Sequence, residues 1–104
     1  MMNVLMSAKA YIEQREEGYW IANKRVSLDS IVYEFLNGTS PEEIANNFPL
    51  VTLEEVYGAI AFYLANREMI DRYLQQEEVR FAQVQQSLRD KNPAFYQKLK
   101  QAGL

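Results

Sequence analysis

The 104-residue chain contains no cysteine and no histidine. The missing cysteines exclude disulfides, thiolate nucleophiles and zinc fingers, and the missing histidines exclude an imidazole general base. A magnesium site made only of carboxylates remains open, although carboxylates on helices usually form a solvated surface. We therefore expect a protein that is not an enzyme and has no catalytic, cofactor-binding or metal-binding residues.

Long apolar runs are also missing. No stretch approaches the roughly 18 consecutive apolar residues of a membrane-spanning helix. The start, MMNVLMSAKAY, has neither an apolar run of signal-peptide length nor a cleavage pattern. The chain is 48% hydrophobic and 24% charged, which is typical of one small globular domain. We expect a cytoplasmic protein with a modest core.

The first 26 residues favour extended structure. Aromatic and β-branched side chains lie on both sides of REEG, a sequence typical of a turn between two short strands. An isolated hairpin is marginally stable in water, so we expect it to pack on another part of the protein. The expected strand residues are Tyr11, Ile12, Tyr19, Trp20, Ile21 and Val26.

Residues 27–66 predict three helices, the second and third forming a helix-turn-helix. Ser40 and Thr52 each precede a glutamate by three residues, which is the pattern of a capping box at a helix start. An earlier helix is expected to begin after Ser27 and to end near Gly38. Apolar residues at helical spacing are the expected core: Leu28, Ile31, Val32, Phe35 and Leu36, then Ile44, Ala45 and Phe48, then Leu53, Val56, Tyr57, Ile60 and Leu64.

The chain after Arg67 is polar and glutamine-rich, without glycine or proline until Pro93. This composition predicts a long helix followed by a short one. We therefore expect a mainly α protein in a single domain: short N-terminal strands (1–26), a three-helix, homeodomain-like helix-turn-helix core (27–66) and a C-terminal helical arm (67–104). Whether the third helix continues past Asn66 stays open.

Positive charge is absent from the predicted core. Residues 27–66 hold six carboxylates and no Lys or Arg, a formal charge of −6, against +1 for residues 1–26 and +2 for the arm. DNA affinity depends on neutralised phosphates, and the first turn of a recognition helix faces the groove. That turn presents Glu54 and Glu55, which we interpret as helix-start residues at the positive end of the helix dipole. The candidate DNA-contact residues are instead Lys24 and Arg25.

The third helix has apolar residues on the side opposite its expected core: Gly58, Ala59, Phe62 and Ala65. A helix that is apolar on all sides is normally buried on all sides. One interpretation is an interface with a second copy or a partner protein. The alternative is that the N-terminal strands or the arm of the same chain cover this side.

The arm has a sparse apolar stripe. RFAQVQQSL places three apolar residues on one helix face, a pattern typical of a helix that binds in a groove, and PAFYQKL adds two aromatic residues. The arginines either keep the helix soluble or contact an acidic pocket of a partner. The candidate partner-binding residues are Arg80, Phe81, Val84, Leu88, Arg89, Phe95 and Tyr96.

Four ordered motifs resemble the domain-of-unknown-function family 433 over about residues 19–74. They are the Arg25-Val26 pair, the GTSPEEI segment from Gly38 to Ile44, the Phe48-Pro49 pair and the TLEEVYGAIAFYL helix. The resemblance implies a homeodomain-like core in a small prokaryotic protein similar to VapB-type antitoxins. It also implies a dimer, a PIN-like ribonuclease as partner, inhibition through a C-terminal segment and binding to its own promoter. The family motif carries no catalytic residue.

Three functions therefore remain as hypotheses. The first is an antitoxin-like module that dimerises and neutralises a PIN-like nuclease through its arm. The second is a transcriptional regulator that binds DNA through the helix-turn-helix and the basic residues before it. The third is a structural homodimer without a separate activity.

Overall fold

The computed structural model describes residues 9–103, which contain a short hairpin followed by helices. The predicted mainly helical fold with an N-terminal hairpin is confirmed. The chain divides into two compact units, the first ending at Arg67 and the second beginning at Glu68. The elements are β1 (Ile12–Arg15), β2 (Gly18–Ile21), α1 (Leu28–Leu36), α2 (Pro41–Asn47), α3 (Leu53–Ala65), α4 (Arg67–Lys91) and α5 (Pro93–Gln101).

The two strands form an antiparallel hairpin in which Ile12 lies opposite Ile21. Glu16 and Glu17 form the turn, and both have positive φ angles, 49° and 65°. Two successive left-handed residues match the right-handed twist of a hairpin, although Asn and Gly are more usual there. Two residues predicted as strand members lie outside the strands: Tyr11 directly precedes β1, and Val26 follows the turn after β2.

The predicted capping box is complete at the start of α3, whereas α2 shows only one of its two bonds. The Thr52 hydroxyl accepts a hydrogen bond from the Glu55 amide at 3.1 Å, and the Glu55 carboxylate accepts one from the Thr52 amide at 2.9 Å. At α2 the Ser40 hydroxyl accepts from the Glu43 amide at 3.2 Å. Ser27 caps α1 in the same way. Each bond satisfies an amide that has no partner inside its own helix.

The core of the first unit lies around α3, which packs against α1, α2 and β1. Its fully buried apolar side chains include Ile21, Leu28, Ile31, Val32, Ile44, Val56, Ala59 and Tyr63. The predicted core is wrong at Leu36, which is exposed at the end of α1.

The predicted core stripe of α3 is also wrong in part. Leu53, Tyr57 and Leu64 are exposed, whereas Ala59 and Tyr63 are buried. The cause lies in the composition of α3, where apolar residues occupy nearly every position. The 3.6-residue period then fits more than one stripe.

Helix α3 does not continue past Asn66. This residue leaves the helical region, with φ −129° and ψ 36°, and its side-chain amide donates to the carbonyl of Phe62 at 3.0 Å. The backbone amide of Asn66 also donates to that carbonyl, at 3.0 Å. A new helix, α4, begins at Arg67. Asn66 therefore supplies hydrogen-bond donors to the last turn of α3, whose carbonyls have no further helical amides as partners.

Candidate protein-binding surfaces

The hairpin and residues 9–11 cover one side of α3. A Cβ atom on Gly58 would overlap the ring of Tyr11, because it would lie 2.8 Å from Cδ1 and closer still to Cγ. The rings of Tyr19 and Phe62 are 6.2 Å apart. The Tyr11 hydroxyl donates to Glu54 at 2.5 Å, and this bond raises the pKa of the phenol. Glycine is thus required for a close approach between α3 and the chain beside it.

These contacts correct part of the predicted interface. Ala59 is buried in the core and offers no surface to another chain. Gly58 faces the Tyr11 ring, so the same chain covers it. Phe62 is half-buried next to Tyr19, and Ala65 is exposed. The intrachain alternative therefore holds for Gly58 and Phe62, while dimerisation itself stays a prediction.

A cleft of about 420 Å³ has residues 9–12, which lead into β1, on one side and the middle of α3 on the other. Its walls are mostly apolar. The residues that line it are Lys9, Ala10, Tyr11, Ile12, Gly58, Ala61 and Phe62.

Helix α3 presents a second apolar surface, which the sequence pattern did not predict. Leu53 is 40% exposed, and Tyr57 and Leu64 are each 50% exposed. Positions 53, 57, 61 and 64 lie on one side of a helix, so Ala61 completes a row that we call the outer stripe. The Tyr57 hydroxyl donates to Glu42 at 3.1 Å, and this bond raises the pKa of Tyr57.

The two candidate DNA-contact residues differ in their surroundings. The Lys24 ammonium donates to the carbonyl of Leu50 at 2.6 Å and to the Glu55 carboxylate at 3.1 Å. It therefore holds the turn before α3 within this chain, and a DNA contact through Lys24 stays a prediction. The Arg25 side chain is exposed. The pKa of Glu55 is held below its ordinary value, mainly by the Thr52 amide and also by Lys24.

The apolar candidates of the arm differ in exposure. Phe81 is 64% exposed, and Val84 and Phe95 are each 52% exposed. Leu88 is half-buried. Tyr96 is buried, which corrects its assignment as a partner contact. Phe81 and Val84 lie one turn apart on the same side of α4, as the spacing predicted.

Both candidate arginines of the arm have partners within it. The Arg80 guanidinium lies 2.7 Å from each carboxylate oxygen of Glu77. The Arg89 guanidinium donates to the Tyr96 hydroxyl at 3.0 Å and lies 4.9 Å from the centre of its ring. This hydrogen bond lowers the pKa of Tyr96. An arginine that contacts a partner must first exchange these intrachain bonds.

Residues 9–103 contain neither a candidate metal site nor a candidate membrane span. In this range, no group of three or more acidic side chains is arranged to hold a metal ion. None of the helices described there is both long enough and apolar enough to cross a bilayer.

The hairpin, the capped helix-turn-helix and the helical arm define a small helix-turn-helix protein with an acidic core. Residues 18–63 match the family described as a protein of unknown function, DUF433. This match confirms the family resemblance, although it ends at Tyr63 rather than near residue 74. No curated protein and no solved structure matches the chain.

Proposed function

We propose that this protein is an antitoxin-like binding module that dimerises and neutralises a PIN-like ribonuclease through its C-terminal arm. The observation that carries the proposal is the exposed apolar row of the arm, with Phe81 and Val84 on one side of α4 and Phe95 on α5. Aromatic side chains that are exposed in the free chain are suited to act as anchors in a partner's groove.

The expected gain from such docking is substantial. Full burial of a Phe or Val side chain contributes about 1.5–3 kcal/mol, so the part still exposed at each anchor contributes roughly half of that. Only the surplus over the cost of association becomes affinity. Several anchors acting together are therefore needed, and the arm supplies three.

The arginines fit this proposal as exchangeable contacts. PIN-type active sites are acidic, so a guanidinium can pair with their carboxylates. The Arg80–Glu77 pair is largely exposed on the arginine side, and exposed pairs contribute only about 0–1 kcal/mol. Arg80 can therefore exchange Glu77 for a partner carboxylate at low cost, whereas Arg89 must leave both the hydroxyl and the ring of Tyr96.

The test is co-expression with the product of the neighbouring gene, followed by co-purification. We expect the full chain to retain the partner and a chain lacking residues 75–104 to lose it. Two matched substitutions locate the contact. Val84→Ser is expected to weaken binding, whereas Val79→Ser, at a similarly exposed position on the opposite side of α4, is expected to leave it unchanged. Equal binding by both variants would contradict the arm proposal.

The proposal also states that the protein forms a dimer in the cytoplasm of a prokaryote. The solution mass of the purified chain tests it directly, and a monomer would contradict it. Ala65→Glu is a suitable interface variant because Ala65 is exposed. Phe62→Glu is less informative, since Phe62 packs near Tyr19 and its loss would also weaken the fold.

A further inference from the structure

The outer stripe and the cleft form one continuous apolar surface on the first unit. Ala61 belongs to both, since it lies between Tyr57 and Leu64 on α3 and also lines the cleft with Phe62. The outer stripe runs from Leu53 to Leu64, about 17 Å along the helix at 1.5 Å per residue. This position on a helix-turn-helix normally presents polar base-reading side chains, but here it presents two leucines, a tyrosine and an alanine.

The charge around this surface is negative at Glu42, since Lys9, which lines the cleft, pairs with Glu54. The core has six carboxylates and no cation of its own, and the ion pairs described for it use Lys9 with Glu54 and Lys24 with Glu55. Glu42, beside Tyr57, accepts from a neutral hydroxyl. A neutral donor orients a carboxylate without cancelling its charge, so the negative field at the outer stripe persists.

We propose that the outer stripe and cleft bind a basic amphipathic helix of a partner protein. Leucine and aromatic side chains of that helix would cover the outer stripe and enter the cleft, and its Lys or Arg residues would face Glu42. The length of the outer stripe corresponds to about three turns of a docked helix.

Charge selects this occupant over two others. A second copy that used the same face would bring a second Glu42 into the interface, which is unfavourable because the two carboxylates carry like charge. Nucleic acid would meet the same carboxylates with its phosphates. A basic helix gains from both the apolar area and the opposite charge.

This inference is separate from the proposed function, because it concerns α3 in the first unit and not the arm. The probe is a synthetic helical peptide of about 18 residues that carries Leu on one face and Lys on the other, a length sufficient for measurable helix formation. Its counterpart has Glu in place of every Lys. Fluorescence anisotropy of each labelled peptide is measured against the full-length protein at two salt concentrations.

We expect the Lys peptide to bind and the Glu peptide to bind at least about tenfold more weakly, because its charges repel those of the core. The double variant Leu53→Ser/Leu64→Ser is expected to reduce binding of the Lys peptide about tenfold through lost apolar contact. Glu42→Gln keeps an acceptor for Tyr57 and is expected to reduce binding about two- to fivefold.

Leu36→Ser is the matched control, since Leu36 is a similarly exposed leucine on α1. It is expected to leave binding unchanged, and circular dichroism checks that every variant is folded. Equal affinity for the two peptides would overturn the proposal, as would an equal effect of the control and the double variant. A dimer that the double variant converts to a monomer would also overturn it in favour of a second copy.

Discussion

Gly58 and Tyr11 show how a single residue decides which surface of α3 is free. The glycine has no side chain, so the Tyr11 ring lies directly against the helix, and its hydroxyl reaches Glu54. Residues 9–11 are thereby held on one side of α3, and within the described residues the outer stripe on the next side stays exposed. A glycine in the middle of a helix costs about 1 kcal/mol relative to alanine, which this contact offsets.

Gly58→Ala tests the contact. The added Cβ would overlap the Tyr11 ring, so we expect the free energy of unfolding to fall by about 1–3 kcal/mol despite the better helix propensity of alanine. Urea denaturation measures the change. In a Tyr11→Ala background the same substitution should become neutral or stabilising. A loss of equal size in both backgrounds would show that Tyr11 is not the cause.

Glu55 makes stability depend on pH. Its folded-state pKa lies below the ordinary value, so the ionised form stabilises the fold above pH 4.5 and this contribution is lost as the pH falls through the folded pKa. We expect Glu55→Gln to cost about 1 kcal/mol at pH 7 and progressively less under acid conditions. Urea titrations of both proteins at several pH values measure this. A difference in the free energy of unfolding between the two proteins that stays constant with pH would contradict this prediction. Glu43→Gln, at the same position of α2, is the matched control.

At the scale of elements, α3 and the α4–α5 pair differ in how their polar groups are used. Helix α3 is bounded by polar caps, with Thr52 and Glu55 at its start and Asn66 at its end. Helix α5 has no side-chain cap at its start, and Asn92 makes no such bond. Instead, Arg89 on α4 contacts Tyr96 on α5 through a hydrogen bond and a cation–π interaction.

Tyr96→Phe tests this contact. It keeps the ring and removes the hydroxyl, so we expect a loss of about 0.5–1.5 kcal/mol, seen as faster amide hydrogen exchange in α5. Arg89→Gln should have a larger effect, and the pKa of Tyr96 should rise towards its ordinary value. A spectrophotometric titration of the phenol measures that rise. Unchanged exchange in both variants would show that the contact does not hold α5.

At the scale of the whole molecule, the shape and the charge of the core favour different partners. The core has the outline of a DNA reader with a formal charge of −6, and the charges of the remaining residues reduce the total to −3. Lys24 offsets one of these core charges, because its ammonium pairs with Glu55 and also donates to the Leu50 carbonyl. The outer stripe on α3 is apolar. These features favour protein over nucleic acid as the partner of the core.

A mobility-shift assay on the protein's own promoter tests that preference. We expect at most weak binding, with a log–log salt slope near zero because few phosphates are neutralised. Arg25→Gln should change the result little. A steep slope that Arg25→Gln reduces would instead support the transcriptional regulator, with the exposed Arg25 of each subunit as a phosphate contact.

Local signals in the sequence were sufficient for the hairpin, the helix starts and the break at Pro93. Capping bonds join residues three apart and turns join neighbours, so their chemistry is readable along the chain. The family motifs and the charge of the core were readable for the same reason. The spacing of Phe81 and Val84 likewise placed both on one exposed side of α4.

Only the tertiary structure decided which side of α3 is covered. Its residues are apolar nearly all round, so periodicity could not choose between the side that carries Ala59 and Tyr63 and the outer stripe. Packing of α1, α2 and the hairpin made that choice. The bonds of Lys24 to Glu55 and of Arg89 to Tyr96 likewise depend on how separate elements meet. Contacts between residues distant in sequence follow from packing, which no local pattern encodes.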